Sequence, residues 1–170
     1  VLYFLKEHNN QELSNSKLLK WLFYIFGFSF VGILISYCFG IFGGREYWEF
    51  HPLFSIPISI GWMLFILIFI SNFKSLKNQP VYIWMWFTGV VFFLFTYLES
   101  NAWLLPSVRN HLVKDMMIQW KSYGSMVGSW NMLIYGSSIY LMDKISGDKK
   151  YSFSSIAFWI YFLGLFNLMF

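Results

Sequence analysis

Arg45, Glu46 and Glu49 fall together in the run Gly43-Gly44-Arg45-Glu46-Tyr47-Trp48-Glu49, directly after an apolar stretch. An arginine there can grip a carboxylate or phosphate through two parallel hydrogen bonds. The neighbouring carboxylates are hard oxygen donors of the kind calcium takes. On residue types alone the run also reads as a solvated loop, with Trp48 at the headgroup level. A second run, Tyr123-Gly124-Ser125-Met126-Val127-Gly128-Ser129-Trp130-Asn131, pairs Gly124 with Gly128 and Ser125 with Ser129. Small residues at this spacing let helix backbones approach closely in lipid, so helix packing is the plain reading. Asn131 is the most polar side chain of that stretch; once buried it needs hydrogen-bond partners, and so joins helices or lines a polar cavity. His8, His51 and His111 lie in links or at the edges of apolar runs, away from where a haem or metal inside a membrane takes imidazole. Cys38 is the single cysteine; it makes no internal disulfide and reads as a small apolar filler. No apolar run carries an acid or base at its middle, so the usual proton-relay candidates are missing. These residues alone form no complete catalytic constellation.

The elements that must position them follow from composition. Of 170 residues, 58% are hydrophobic, 24% aromatic and only 12% charged, against roughly 25% charged in an ordinary soluble domain. A chain this short cannot bury so many aromatics internally, and disorder requires the opposite balance of charge and hydrophobicity. An integral membrane protein is what remains. Charge-free runs extend from Trp21 to Gly44, Phe50 to Phe73, Asn78 to Leu98, Ser122 to Met142 and Tyr151 to Phe170, and about 20 apolar residues suffice to cross a bilayer as a helix. The run Phe65-Ile66-Leu67-Ile68-Phe69-Ile70 does not alternate polar with apolar, as barrel strands do. The expectation is an all-α polytopic transmembrane bundle as a single unit over 1–170. Its five spans lie at roughly 18–43, 54–72, 80–98, 122–142 and 151–170, with an outer segment at 99–121. Val1 to Leu5 reads as the end of an earlier helix, and the chain as an internal fragment of a longer protein.

The basic residues alternate in density between links. The links holding Lys6, Lys17 and Lys20, then Lys74 and Lys77, then Lys144, Lys149 and Lys150 together carry eight; the links with Arg45 and with Arg109, Lys114 and Lys121 carry four. Positive residues favour the cytoplasmic side, which places Arg45, Glu46 and the 99–121 segment on the outer face. Trp103 and Trp120 are expected there as interfacial anchors. Pro80 suits the first turn of the third span, and Pro52 and Pro57 the start of the second. The net charge of +4 is spread between apolar blocks with no basic stripe, so it points to lipid and not to nucleic acid.

Read together, Ser36-Tyr37-Cys38-Phe39-Gly40-Ile41-Phe42-Gly43-Gly44-Arg45-Glu46-Tyr47-Trp48-Glu49 resembles the Gly-Arg-Glu-Tyr-x-Glu stretch of the haem–copper oxidase superfamily main subunit, above all the large subunit of nitric oxide reductase. By that resemblance Arg45 would lie near haem propionates, and Glu46, with Glu49 as a weaker third, near a calcium ion. The stretch from Tyr123 is similar to the family helix reading His-x-x-x-Glu-Gly-x-Trp-Glu. Gly128 and Trp130 match; Tyr123 stands where the family has a metal-ligand histidine, and Val127 and Asn131 stand where it has glutamates. The resemblance implies b-type haem with ligands outside this chain, before Val1 and after Phe170. It also implies a non-haem iron or copper site weakened by the loss of Tyr123's histidine counterpart, a c-type cytochrome subunit or other electron donor as partner, and a place in the bacterial inner membrane.

Three functions are then in play. The first is a haem-binding respiratory oxidoreductase subunit that reduces nitric oxide or dioxygen. The second is a degenerate relative without turnover, motivated by Tyr123, Val127 and Asn131. The third is an unrelated transporter or scaffold, which usually shows broken helices or intramembrane charge; neither is seen.

Overall fold

In lipid every backbone amide and carbonyl must be satisfied within the segment, so long apolar runs fold as helices. The computed structural model follows this rule; it describes residues 1–73 and 75–169. Lys74, one of the orientation charges, and Phe170, the last residue of the fifth expected span, lie outside the described residues. The elements are α1 (Leu2–Asn9), α2 (Ser16–Cys38), α3 (Ser55–Ser71), α4 (Val81–Ser100), α5 (Pro106–Arg109), α6 (Leu112–Met117), α7 (Tyr123–Ser146) and α8 (Ser155–Met169). The architecture is all-α, and no strand occurs among the described residues; an isolated bridge joins Arg45 to Trp48.

Among the described residues three helical stretches are long and apolar enough to cross a membrane: Ser16–Cys38, Pro52–Ser71 and Val81–Leu104. The first starts ahead of its charge-free run, at Ser16, and ends before that run does, because the chain turns at Gly40, whose φ is 69°. Absence of charge marks what lipid tolerates, whereas the helix ends where the backbone conformation changes. α7 is 24 residues long and runs past Met142 to Ser146. The segment expected as outer loop is itself mostly helical: a 3-10 turn (Asn101–Leu104), α5, α6 and a π-helical turn (Ile118–Ser122) that feeds α7.

The chain separates into two compact units, residues 13–71 and residues 1–12 with 72 onward. In the unit of residues 13–71, α2 and α3 form a helix pair. Gly61 on α3 lies beneath the ring of Phe26, where an added Cβ would come within 2.9 Å of it.

In the other unit α4 and α7 share the most extensive contact. Their close approach rests on Gly89 and Gly136. A Cβ on Gly89 would stand 2.7 Å from Leu133 Cδ2 and 2.9 Å from the Ser129 carbonyl oxygen; one on Gly136 would stand 2.9 Å from Trp86 Cδ1. The expected pair Gly124 and Gly128 does not act together: Gly124 faces open space, while Gly128 faces Leu168 of α8. Val81, Met85, Met132, Tyr161 and Leu168 form the buried apolar centre of this unit. Ser125 Oγ donates to the Leu168 carbonyl at 3.0 Å, tying α7 to α8 at the same level. The amide of Val81 at the start of α4 donates to the Ser152 carbonyl at 2.9 Å, one of the helix-end donors that need an external partner.

Candidate functional site

The run from Gly43 to Glu49 folds as a tight turn. The Trp48 amide donates to the Arg45 carbonyl at 2.9 Å, and the Gly43 amide to the Glu49 carbonyl at 2.6 Å. Tyr47 takes the left-handed conformation at φ 62°, and its amide donates to Glu49 Oε1 at 3.1 Å. Gly43 is obligatory here, because a Cβ would collide with the carbonyl oxygens of Trp48 and Phe50. Trp48 is fully buried and so anchors the turn instead of standing at an interface. Arg45 is half-buried, and Glu46 and Glu49 are exposed. The turn thus presents a guanidinium and two carboxylates from a fixed backbone.

Tyr123, Val127 and Asn131 lie one turn apart along α7. Tyr123 is buried, Val127 and Asn131 half-buried, and Trp130 is exposed. As a donor set for a metal this stripe is poor, since valine offers no lone pair and the phenol is enclosed. Among the described residues no group of three or more His, Cys, Asp or Glu side chains is placed to hold a metal ion. Trp103, expected at headgroup level, is instead buried, whereas Trp120 is 75% exposed as an interfacial anchor would be. The 3-10 turn after α4 rotates Trp103 inward, a phase that hydropathy does not report.

A third place escaped the sequence reading. At the common end of α1, α4 and α7 an open cavity of about 260 Å³ is lined by Glu7, His8, Tyr82, Tyr140, Asp143 and Lys149, among others. His8 is held at both ring nitrogens: Nδ1 lies 2.8 Å from the Tyr82 hydroxyl, and Nε2 lies 3.3 Å from Gln79 Oε1. Because Gln79 Oε1 can only accept, Nε2 carries the proton and Nδ1 accepts from Tyr82. Burial, together with the positive charge of Lys149, holds the His8 pKa below its ordinary value, although the bond to Gln79 opposes this. Phe4, Tyr82, Trp86 and Tyr140 form a cluster of rings behind the cavity, with Phe4 5.0 Å from Tyr140 and Tyr82 5.1 Å from Trp86.

Asp143 is 8% exposed, and neither carboxylate oxygen has a hydrogen-bond partner. It lies just beyond the charge-free run, which is why segmentation by charge left it in a link. The available signal was periodic: Met132, Gly136, Tyr140 and Asp143 recur at helical spacing on the buried face of α7, and the acid continues that face.

The chain is similar to a cytochrome c oxidase subunit 1 homolog. That protein, from Azorhizobium caulinodans, is 24% identical over 166 aligned residues, covering 88% of this chain. The chain spans about 30% of the length of this curated relative. No protein-family model matches the chain, and no solved structure matches it. Three helices able to cross a membrane, with this likeness, make the chain a membrane protein.

Proposed function

We propose that this chain is part of a subunit-I-like membrane subunit of a haem–copper respiratory oxidoreductase of the bacterial inner membrane, of the nitric oxide reductase type. The observation that supports this best is the likeness to a cytochrome c oxidase subunit 1 homolog, which extends along 88% of the chain. The Gly-Arg-Glu-Tyr-x-Glu run forms a hydrogen-bonded turn, which supports a binding task at Arg45.

In this reading Arg45 is the residue that would hold haem propionates. Its half-buried position strengthens a charge-assisted pair relative to one in open water. Haem would supply one-electron chemistry, its iron being held by ligands outside this chain. His8 is no such ligand, since both its nitrogens are engaged; His51 Nδ1 accepts from the Leu53 amide at 3.3 Å. Glu46 and Glu49 would bring carboxylates to a calcium ion, which takes roughly six to eight oxygens, so further donors must come from elsewhere. A non-haem iron or copper does not fit the stripe of Tyr123, Val127 and Asn131, and no reaction step is assigned to it. A c-type cytochrome subunit or another electron donor is the partner this reading calls for.

The test is absorption spectroscopy and gas turnover on the purified full-length protein. A Soret band that shifts on reduction, with consumption of nitric oxide or dioxygen from a reduced cytochrome donor, is the expected result. Arg45→Ala should shift the haem reduction potential while the Soret band persists. Absence of any haem band sinks the proposal. A haem band with no turnover of either gas would favour a second reading, a non-catalytic relative, motivated by Tyr123, Val127 and Asn131 standing where the family has a histidine and two glutamates.

A further inference from the structure

The end of α4, the short helices α5 and α6, and the π-helical turn ahead of α7 together line an open cavity of about 210 Å³. Its walls divide by chemistry. Val108, Met117 and Ile118 make an apolar side, while Lys114, Lys121 and Glu99 bring charge. Three observations narrow what the cavity takes.

First, the lining carries a positive charge in excess, two lysines against one carboxylate. Among the described residues neither lysine makes an ion pair. Asp115, the other acid of this segment, does not line the cavity. Lys114 and Lys121 are exposed, so their ammonium donors stand ready for an anion. Lys121 belongs to the π-helical turn Ile118–Ser122, a rare form of helix that recurs at functional sites. Second, the cavity stands at the membrane boundary. Glu99 lies near the end of Val81–Leu104, whose 24 apolar-rich residues outreach a hydrocarbon core of about 30 Å. Trp120, next to Lys121 in the chain and 75% exposed, suits the same headgroup layer. Third, the apolar wall calls for carbon. A small inorganic anion would leave Val108 and Ile118 facing water, whereas a phospholipid sets glycerol and acyl carbon against them beneath its phosphate.

From these we infer that the cavity is a binding site for an anionic phospholipid, its phosphodiester held by Lys114 and Lys121 and its carbon portion seated on Val108, Met117 and Ile118. A phosphodiester carries a single negative charge, which balances the excess positive charge of the lining. Hydrogen bonds from ammonium groups to its oxygens are charge-assisted. The inference is independent of the haem–copper reading, and every residue it uses lies in one compact unit. Arg109 is exposed on the same segment but does not line the cavity, so it serves as the control for diffuse attraction.

The test uses the full-length protein, freed of lipid in an uncharged detergent, with Tm followed as short-chain phosphatidylglycerol is titrated. Phosphatidylcholine of the same chain length has the phosphodiester but no net charge. Glycerol phosphate has the phosphate but no chains. The expected result is a saturable rise in Tm with phosphatidylglycerol that exceeds both controls. Lys114→Gln and Lys121→Gln should each raise the half-saturating concentration about fivefold, near what one basic residue contributes at an anionic surface. Glu99→Gln should lower it, and Arg109→Gln should leave it unchanged. An equal rise with phosphatidylcholine overturns the proposal, and the full effect with glycerol phosphate marks a free-phosphate site and overturns it as well. So does a loss in Arg109→Gln as large as in the lysine variants. The side chains changed at Arg109, Lys114 and Lys121 are exposed, so these variants keep the fold and the comparison among them decides the question.

Discussion

The Tyr82 hydroxyl and His8 Nδ1 lie 2.8 Å apart although 74 residues separate them in the chain. This bond ties the short helix α1 to the first turn of α4, Tyr82 donating while His8 is neutral. The His8 pKa is lowered by burial first and by Lys149 as well, so the folded state disfavours the imidazolium relative to the unfolded chain. Its stabilising contribution is therefore present above the ordinary histidine value and is lost as the pH falls through the depressed one. Thermal unfolding of the purified protein should show a Tm that declines as pH is lowered from neutrality into the acid range. In His8→Asn that part of the decline should be absent; an identical pH profile in the variant would remove His8 as its origin.

The α4–α7 contact offers a contrast between glycines. Gly89→Ala places a methyl against the Ser129 carbonyl and Leu133, and backbone cannot move aside as a flexible side chain does. A loss of about 1–3 kcal/mol is expected from such overpacking. Gly124→Ala meets nothing within 4 Å and should be neutral or gain up to about 1 kcal/mol from helix propensity. Denaturation of the two variants side by side measures this difference. The opposite order would mean that Gly124, not Gly89, is the packing glycine.

Asp143 stands buried without a donor, so its charge weakens the folded state. Asp143→Asn keeps the shape and removes the charge. It should unfold at a higher temperature than the native protein, because an unpaired amide costs less to bury than an unpaired carboxylate. A lower Tm would show that the carboxylate already has a stabilising partner.

The turn carrying Arg45 depends on Trp48 and Gly43. Trp48→Ala empties a fully buried position and should cost about 3–5 kcal/mol. Gly43→Ala forces the Trp48 and Phe50 carbonyls apart. Both variants should become sensitive to protease between residues 43 and 50, while Glu46→Gln, on an exposed side chain, should remain as resistant as the native protein.

Much of this was legible from residue order. Helix class and the starts of α3 and α4 rest on local information, whereas the turn from Gly43 to Glu49 read as a solvated loop on residue types alone. Pro80 caps α4 and Pro52 opens the turn ahead of α3, as fixed proline φ angles require. The paired spacing of Gly124 and Gly128 was legible as well, but its meaning was not. Those glycines face different surroundings, whereas Gly89 and Gly136, which form no motif with each other, bring two backbones together.

By itself the sequence determined that this is an all-helical membrane protein. Apolar runs free of charge leave the backbone no other way to satisfy its hydrogen bonds in lipid, and that constraint acts within each segment. Only the tertiary structure decided which side of each helix is enclosed. It turned Trp103 inward and left Trp120 outside, joined His8 to Tyr82, and buried Asp143 at the end of α7. Each of these depends on the rotational phase of one helix against a neighbour distant in the chain. Phase is set by interlocking side chains across the contact, and no single run of residues contains both sides of it.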